Sequence, residues 1–203
     1  MSSVTFDAET HRYWLEGNEI PSVSRIIQGL KLTPPYYKSD RSQELMVRGT
    51  HVHTCTQYHD EGRLHERSWE PEYHAFLEGW KAFRTIFGGE PIEIEKKVSS
   101  NQFRYAGTLD RVFKLPSPTD PNAEELAVID IKTGSPSNWH GLQLAAYQIA
   151  YEEEGLNPMK LPVRRLAVYL TETDFKVREY RDPGDLIAWK AAVTLYYWKE
   201  RNR

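Results

Sequence analysis

Apolar positions recur at helical spacing in both ends of the chain and alternate in its middle. Val23, Ile26, Ile27 and Leu30 follow one another at i, i+3, i+4 and i+7 behind Ser22, which predicts a short N-capped helix. Ahead of it, Val4-Thr5-Phe6 and Arg12-Tyr13-Trp14-Leu15 are β-prone, and Glu16-Gly17-Asn18 reads as a turn, so residues 4–21 predict a β-hairpin. Pro34 and Pro35 forbid helix over residues 33–38. A longer helix is predicted over residues 42–60, ending at Gly62. Another starts at Ser68, carries Tyr73, Phe76, Leu77, Trp80, Phe83 and Ile86 on one stripe, and stops at Gly88-Gly89. The period then shortens to two. Residues 92–98, 103–115 and 126–133 read as strands, with 116–125 a polar, proline-containing connection. A helix over 137–154, strands over 165–171 and 175–180, and a last helix over 185–199 complete the pattern. The class is α/β, a central mixed sheet flanked by helices, with an N-terminal hairpin and helical segment.

Composition narrows the picture without changing it. The 203 residues suit one domain, 1–203, in which 1–40 form an appendage to a core over 41–203. Six Trp and twelve Tyr argue against disorder. A net charge of −3 gives no global field for nucleic acid, so any such site must be local and helped by metal ions. Cys55 is alone, which excludes an internal disulfide and a cysteine-based zinc site. The first residues have neither a basic nor an apolar leader segment, and no apolar run approaches the roughly 20 residues of a membrane span. The expectation is a soluble, intracellular (cytoplasmic) protein with no membrane partner.

The chemistry concentrates in Val128-Ile129-Asp130-Ile131-Lys132-Thr133-Gly134. Side chains alternate along a strand, so Asp130 and Lys132 share a face. A carboxylate and an ammonium are costly on so apolar a strand unless they serve something. With Asp110 on the preceding strand, the acids offer the hard oxygens that Mg²⁺ or Mn²⁺ takes. Lys132 adds a compact cation for a phosphate or for orienting a water. Metal-assisted phosphodiester hydrolysis uses all of these parts.

Gly107-Thr108-Leu109-Asp110, Asp130-Ile131-Lys132-Thr133-Gly134 and Gln143-Leu144-Ala145-Ala146-Tyr147, with Gly49 and His53 upstream, resemble the PD-(D/E)XK nuclease superfamily, and within it the RecB-like exonuclease branch, over residues 45–150. Leu109 stands where the superfamily's eponymous proline would be. The resemblance implies a restriction-endonuclease-like core. It implies one or two Mg²⁺ or Mn²⁺ ions held by His53, Asp110, Asp130 and the backbone carbonyl of Ile131. Lys132 would be the catalytic lysine beside Asp110 and Asp130, and Gln143 and Tyr147 would hold substrate or the catalytic strand. The implied activity is a stand-alone DNA exonuclease of phage or mitochondrial type, serving recombination, repair or replication. DNA is then the substrate, and a single-strand-annealing or recombination protein a candidate partner. The same chemistry would serve a structure-specific or restriction-type endonuclease. A non-catalytic nuclease-fold module that binds DNA or protein is the third reading, against which Lys132 argues.

Plainer readings stand beside these. Asp130 and Lys132 could form an exposed edge-strand ion pair, worth little. His51 and His59 share a helix with His53, although the four-residue step from Gly49 favours His53 by letting the helix approach the sheet. Tyr147 could be a residue of the core's margin. Glu95 could join a second metal or pair with Lys96, Lys97 or Arg104, and Glu93 is its equal alternative. Tyr36 and Tyr37 could stack on bases or pack a loop. Two basic groups could follow phosphates: Arg25, Lys31, Lys38, Arg41 and Arg48, and then Arg164, Arg165, Lys176, Arg178 and Arg181.

Overall fold

The computed structural model describes residues 4–34, 39–65, 69–120, 122–172 and 174–202. The elements follow in the order β1 (Thr5–Asp7), β2 (Arg12–Leu15), β3 (Asn18–Ile20), α1 (Val23–Gly29), α2 (Asp40–Asp60), α3 (Pro71–Phe87), β4 (Glu90–Ser100), β5 (Tyr105–Pro116), β6 (Glu124–Lys132), α4 (Trp139–Glu153), β7 (Val163–Leu170), β8 (Phe175–Glu179) and α5 (Gly184–Arg201). The main sheet has the order β4-β5-β6-β7-β8. Only β6 and β7 run parallel, with α4 as their crossover, and the other neighbours are antiparallel.

Local signals explain most of the boundaries. Ser22 caps α1 by accepting from the Arg25 N–H at 3.0 Å. Ser39 and Ser42 close a reciprocal capping box on α2. Ser68, the expected start of the third helix, lies outside the described residues, as do Tyr36, Tyr37 and Lys38; α3 has Glu70 as its N-cap and Pro71 in its first turn. Ile86 is 70% exposed and leaves the stripe on α3, which continues through Phe83 to Phe87 instead. The N-terminal hairpin has a third strand, β3, pairing with β2. The expected connection over 116–125 is shorter than its polarity suggests. Antiparallel pairing continues through Leu115–Glu125 and Pro116–Glu124, where one face is exposed and tolerates charge.

Helices cover both faces of the main sheet. On one side Val23, Ile26 and Ile27 of α1, with α4 and α5, pack on Leu109, Val112, Val128 and Ala167. On the other, Val52 of α2 and Tyr73, Phe76, Trp80 and Phe83 of α3 pack on Phe113, Leu115, Ile129, Ile131 and Val168. The small sheet closes on Ala106 through Tyr13, Leu15 and Ile20. No helix among the described residues is long and apolar enough to cross a membrane.

Candidate active site

Strands β5 and β6 stay paired as far as Arg111–Ile129 and separate beyond it. Asp110 fills the gap: its Oδ2 accepts the Ile131 N–H at 2.6 Å, a donor the ladder has released. Leu109 and Val112 point into the same core layer while Phe113 and Leu115 point into the opposite one, so the face alternation of β5 shifts around Asp110 and Arg111. Across β4, Glu95 falls opposite this shift, between the Ile94–Arg111 and Lys96–Leu109 pairs, in the left-handed region at φ 47°. Such a backbone is strained for a non-glycine residue and is held only where surroundings enforce it.

Three ligand atoms, one each from His53, Glu95 and Asp110, lie within 4.8 Å of one another. His53 Nδ1 is 3.5 Å from Asp110 Oδ1. The other histidines of α2 are engaged elsewhere, His51 with Glu70 at 3.5 Å and His59 with Asp60 at 3.2 Å. Glu93 pairs with Lys96 at 3.1 Å, whereas Glu95 accepts from Arg111 at 2.9 Å; the two acids therefore part company. Gly49 is not what lets α2 approach the sheet, since a methyl group there would meet only Thr133 Oγ1, at an ordinary 3.7 Å. Arg48 fastens α2 instead, donating to the Thr133 carbonyl at 2.8 Å.

Asp130 and Lys132 project toward α4. Asp130 is 1% exposed, so the pair is no solvated edge contact. Lys132 Nζ stands 2.7 Å from Asp130 Oδ2 and donates to Gln143 Oε1 at 3.1 Å. Gln143 Nε2 donates in turn to the Tyr147 hydroxyl at 3.2 Å. Both are buried one turn apart on α4, and Gly107 makes room for them: a Cβ there would come within 2.7 Å of the Tyr147 ring.

Burial and mutual repulsion set the charges. Burial pushes Asp130 up to about 6, against the attraction of Lys132. Glu95 rises to about 7 through burial and the nearby Asp110 charge, opposed by His53 and Arg111. Burial opposes the charged form of His53, but Asp110 and then Glu95 outweigh it and lift the imidazole to about 9. Burial likewise works against the Asp110 carboxylate, yet His53, Lys132 and the Ile131 N–H hold its pKa below the ordinary value.

These groups fit a divalent cation. Asp130 Oδ2 is buried and finds no hydrogen bond of acceptable geometry, despite the nearby Lys132 charge. The half-buried Glu95 and the buried Asp110 face one imidazole, a donor set of hard oxygens and nitrogen that suits a divalent cation.

Sequence reasoning missed the support behind the centre. Arg111, fully buried, donates to Asp60 Oδ2 at 2.7 Å, to Glu95 Oε1 at 2.9 Å and to Thr56 Oγ1 at 3.3 Å. Asp60 also receives Trp80 Nε1 at 3.0 Å and Arg84 at 3.0 Å. A second charge on an apolar strand, beside Asp110, was the available signal. Of the second basic group, Arg164 and Arg181 are spent on Glu179, and Arg165 on Asp185.

A helix-sheet-helix α/β fold with acids, a histidine and a lysine gathered where two strands part defines a class of metal-assisted hydrolytic centre. Comparison with known families matches residues 25–194 to the PD-(D/E)XK nuclease superfamily, and the chain belongs to that superfamily. Among curated proteins none matches the chain significantly. Membership implies a nuclease, acting on DNA with divalent metal ions.

Proposed function

We propose that this protein is a Mg²⁺- or Mn²⁺-dependent deoxyribonuclease of one domain that hydrolyses phosphodiester bonds by direct attack of water, and that it acts as an exonuclease. The observation that carries the reading is the convergence of His53, Glu95 and Asp110 within 4.8 Å, with the Asp130–Lys132 pair on the neighbouring strand.

His53, Asp110 and Asp130 hold the metal, and Glu95 joins them. The Ile131 carbonyl is a further ligand. A strand residue turns its N–H and C=O to the same side, and the Ile131 N–H already faces Asp110. A divalent ion bound there supplies a Lewis acid that polarises a phosphoryl oxygen and lowers the pKa of water.

The chain's own residues do the rest. Gln143 and Asp130 fix the Lys132 ammonium, which offsets negative charge growing on the phosphate and directs the attacking water. Tyr147 locks the Gln143 amide, so the lysine approaches the phosphate already oriented. The Asp110 bond to the Ile131 N–H keeps the two strands at the spacing the centre needs.

The preference for exonuclease over endonuclease, and a role in recombination, repair or replication, rest on the resemblance carried by Gly49, His53, Gln143 and Tyr147. The test is a digestion panel with Mg²⁺ on end-labelled linear single strands, linear duplexes and closed circles. Loss of linear DNA with circles spared is the expected result. Cleavage of circles at a comparable rate would make the protein an endonuclease.

A further inference from the structure

A cleft of about 680 Å³ opens beside Lys132 and His53. Its wall is largely apolar: Pro34, Leu45, Met46, Gly49, Pro136 and Trp139. Leu45 is 44% and Met46 54% exposed, an unfavourable placement on a helix that faces water. Arg48, which also lines the wall, is engaged by the Thr133 carbonyl and lies over the Phe76 ring at 5.4 Å. Gly49 and Gly134 line the cleft without being needed for packing, since a Cβ on Gly134 would meet nothing within 4 Å.

Trp139 is held in place before any ligand arrives. Its ring sits 4.1 Å from that of His140 at 77°, and Lys132 Nζ lies 5.5 Å from its centroid. His140 Nδ1 is 2.7 Å from the Tyr169 hydroxyl, which is 3.0 Å from that of Tyr180. Tyr180 donates to the Ser137 carbonyl at 2.6 Å. These bonds tie the segment carrying Ser137 and Trp139 to β7 and to Tyr180, the residue after β8, so the aromatic wall and the lysine keep a fixed relation.

A paired duplex turns phosphates outward and hides its base faces, so the exposed apolar side chains of this wall would have nothing to meet on it. An unpaired strand offers base faces, and these stack on aromatic side chains. Resting on the nuclease reading of the same centre, we propose that this cleft seats an unpaired nucleobase next to the scissile phosphate. Trp139 is the stacking platform, Leu45 and Met46 form the opposing wall, and the preferred substrate is a single-stranded or frayed DNA end.

The test is binding, with Mg²⁺, of three short phosphorothioate-linked probes that resist cleavage. They are a single strand, an abasic strand of equal length with the same phosphates, and a blunt hairpin duplex. The wild type is expected to bind the single strand about 5- to 150-fold more tightly than the abasic one, and more tightly than the duplex. Trp139→Ala removes the base-dependent difference and Trp139→Phe restores most of it. A Leu45→Ala/Met46→Ala double variant, at exposed positions with little risk to folding, narrows it. Equal wild-type binding of normal and abasic strands, or of strand and duplex, overturns the inference. So does a full difference retained in Trp139→Ala and in the double variant. Base-dependent binding without any DNA hydrolysis would overturn the nuclease reading instead, whereas hydrolysis with base-independent binding would overturn this inference alone.

Discussion

Burial and charge oppose each other at His53, Glu95 and Asp130, and the conflict has a measurable sign. The pKa of His53 is raised from 6.5 to about 9 in the folded chain. Its contribution to stability is therefore fully present below pH 6.5 and lost as pH rises through 9. Glu95, raised to about 7, has the same sign and loses its contribution as pH rises from 4.5 through 7. His140 runs the other way. Burial, then Lys132 and Arg178, lowers it to about 3, so it favours the fold above pH 6.5 and weakens it in acid. Between pH 7 and pH 9, His53 decides. The unfolding temperature of the metal-free protein is predicted to fall over that interval, and His53→Gln to flatten the fall; an unchanged wild-type temperature would contradict this. With His53 as the proposed metal ligand, binding displaces its proton, so Mg²⁺ is predicted to raise the unfolding temperature more at pH 8 than at pH 6. Thermal scans at both pH values measure it.

Strand β5 changes the direction of its side chains at Asp110 and Arg111, and two predictions belong to that element. Arg111→Met leaves Asp60, whose side chain is fully buried, without its closest cation and Glu95 without its partner. Removing one partner of a buried pair costs about 3–5 kcal/mol, to be read from denaturant unfolding. Four residues earlier, Gly107→Ala drives a methyl into the ring of Tyr147, which is buried and has no room to swing. Overpacking of this kind costs about 1–3 kcal/mol. Because Tyr147 holds Gln143 and Gln143 holds Lys132, kcat should fall together with stability. A Gly107→Ala protein of wild-type stability and rate would disconnect Tyr147 from the centre.

Across the whole molecule, the sequence carried the order of elements because each has its own period and punctuation. Ser22, Gly62, the Gly88-Gly89 pair and the alternation after Ile92 all mark real boundaries to within a few residues. What it could not carry was set by tertiary pairing. The polar ends of β5 and β6 are strand only because each has the other, and β3 is strand only because β2 is beside it. The line of Asp130, Lys132, Gln143 and Tyr147 was legible because periods of two and of four each place a pair of them on one face. The position of Glu95 relative to Glu93 was not, because a positive φ at Glu95 breaks the alternation from which it would have been read. Arg111 left only its charge on an apolar strand as a sign, because its partners Asp60 and Thr56 come from a distant helix.

The central claim is a metal-dependent phosphodiester cleavage centred on Lys132 and the acids beside it. The direct test is hydrolysis of end-labelled linear DNA by the wild type and by Lys132→Ala, each with Mg²⁺ and with the metal chelated. Cleavage by the wild type only in Mg²⁺, reduced by about 10²–10⁴-fold in Lys132→Ala at a temperature where the variant keeps the wild-type circular dichroism spectrum, is the predicted result. Cleavage that survives chelation, or a Lys132→Ala protein as fast as the wild type, would contradict it.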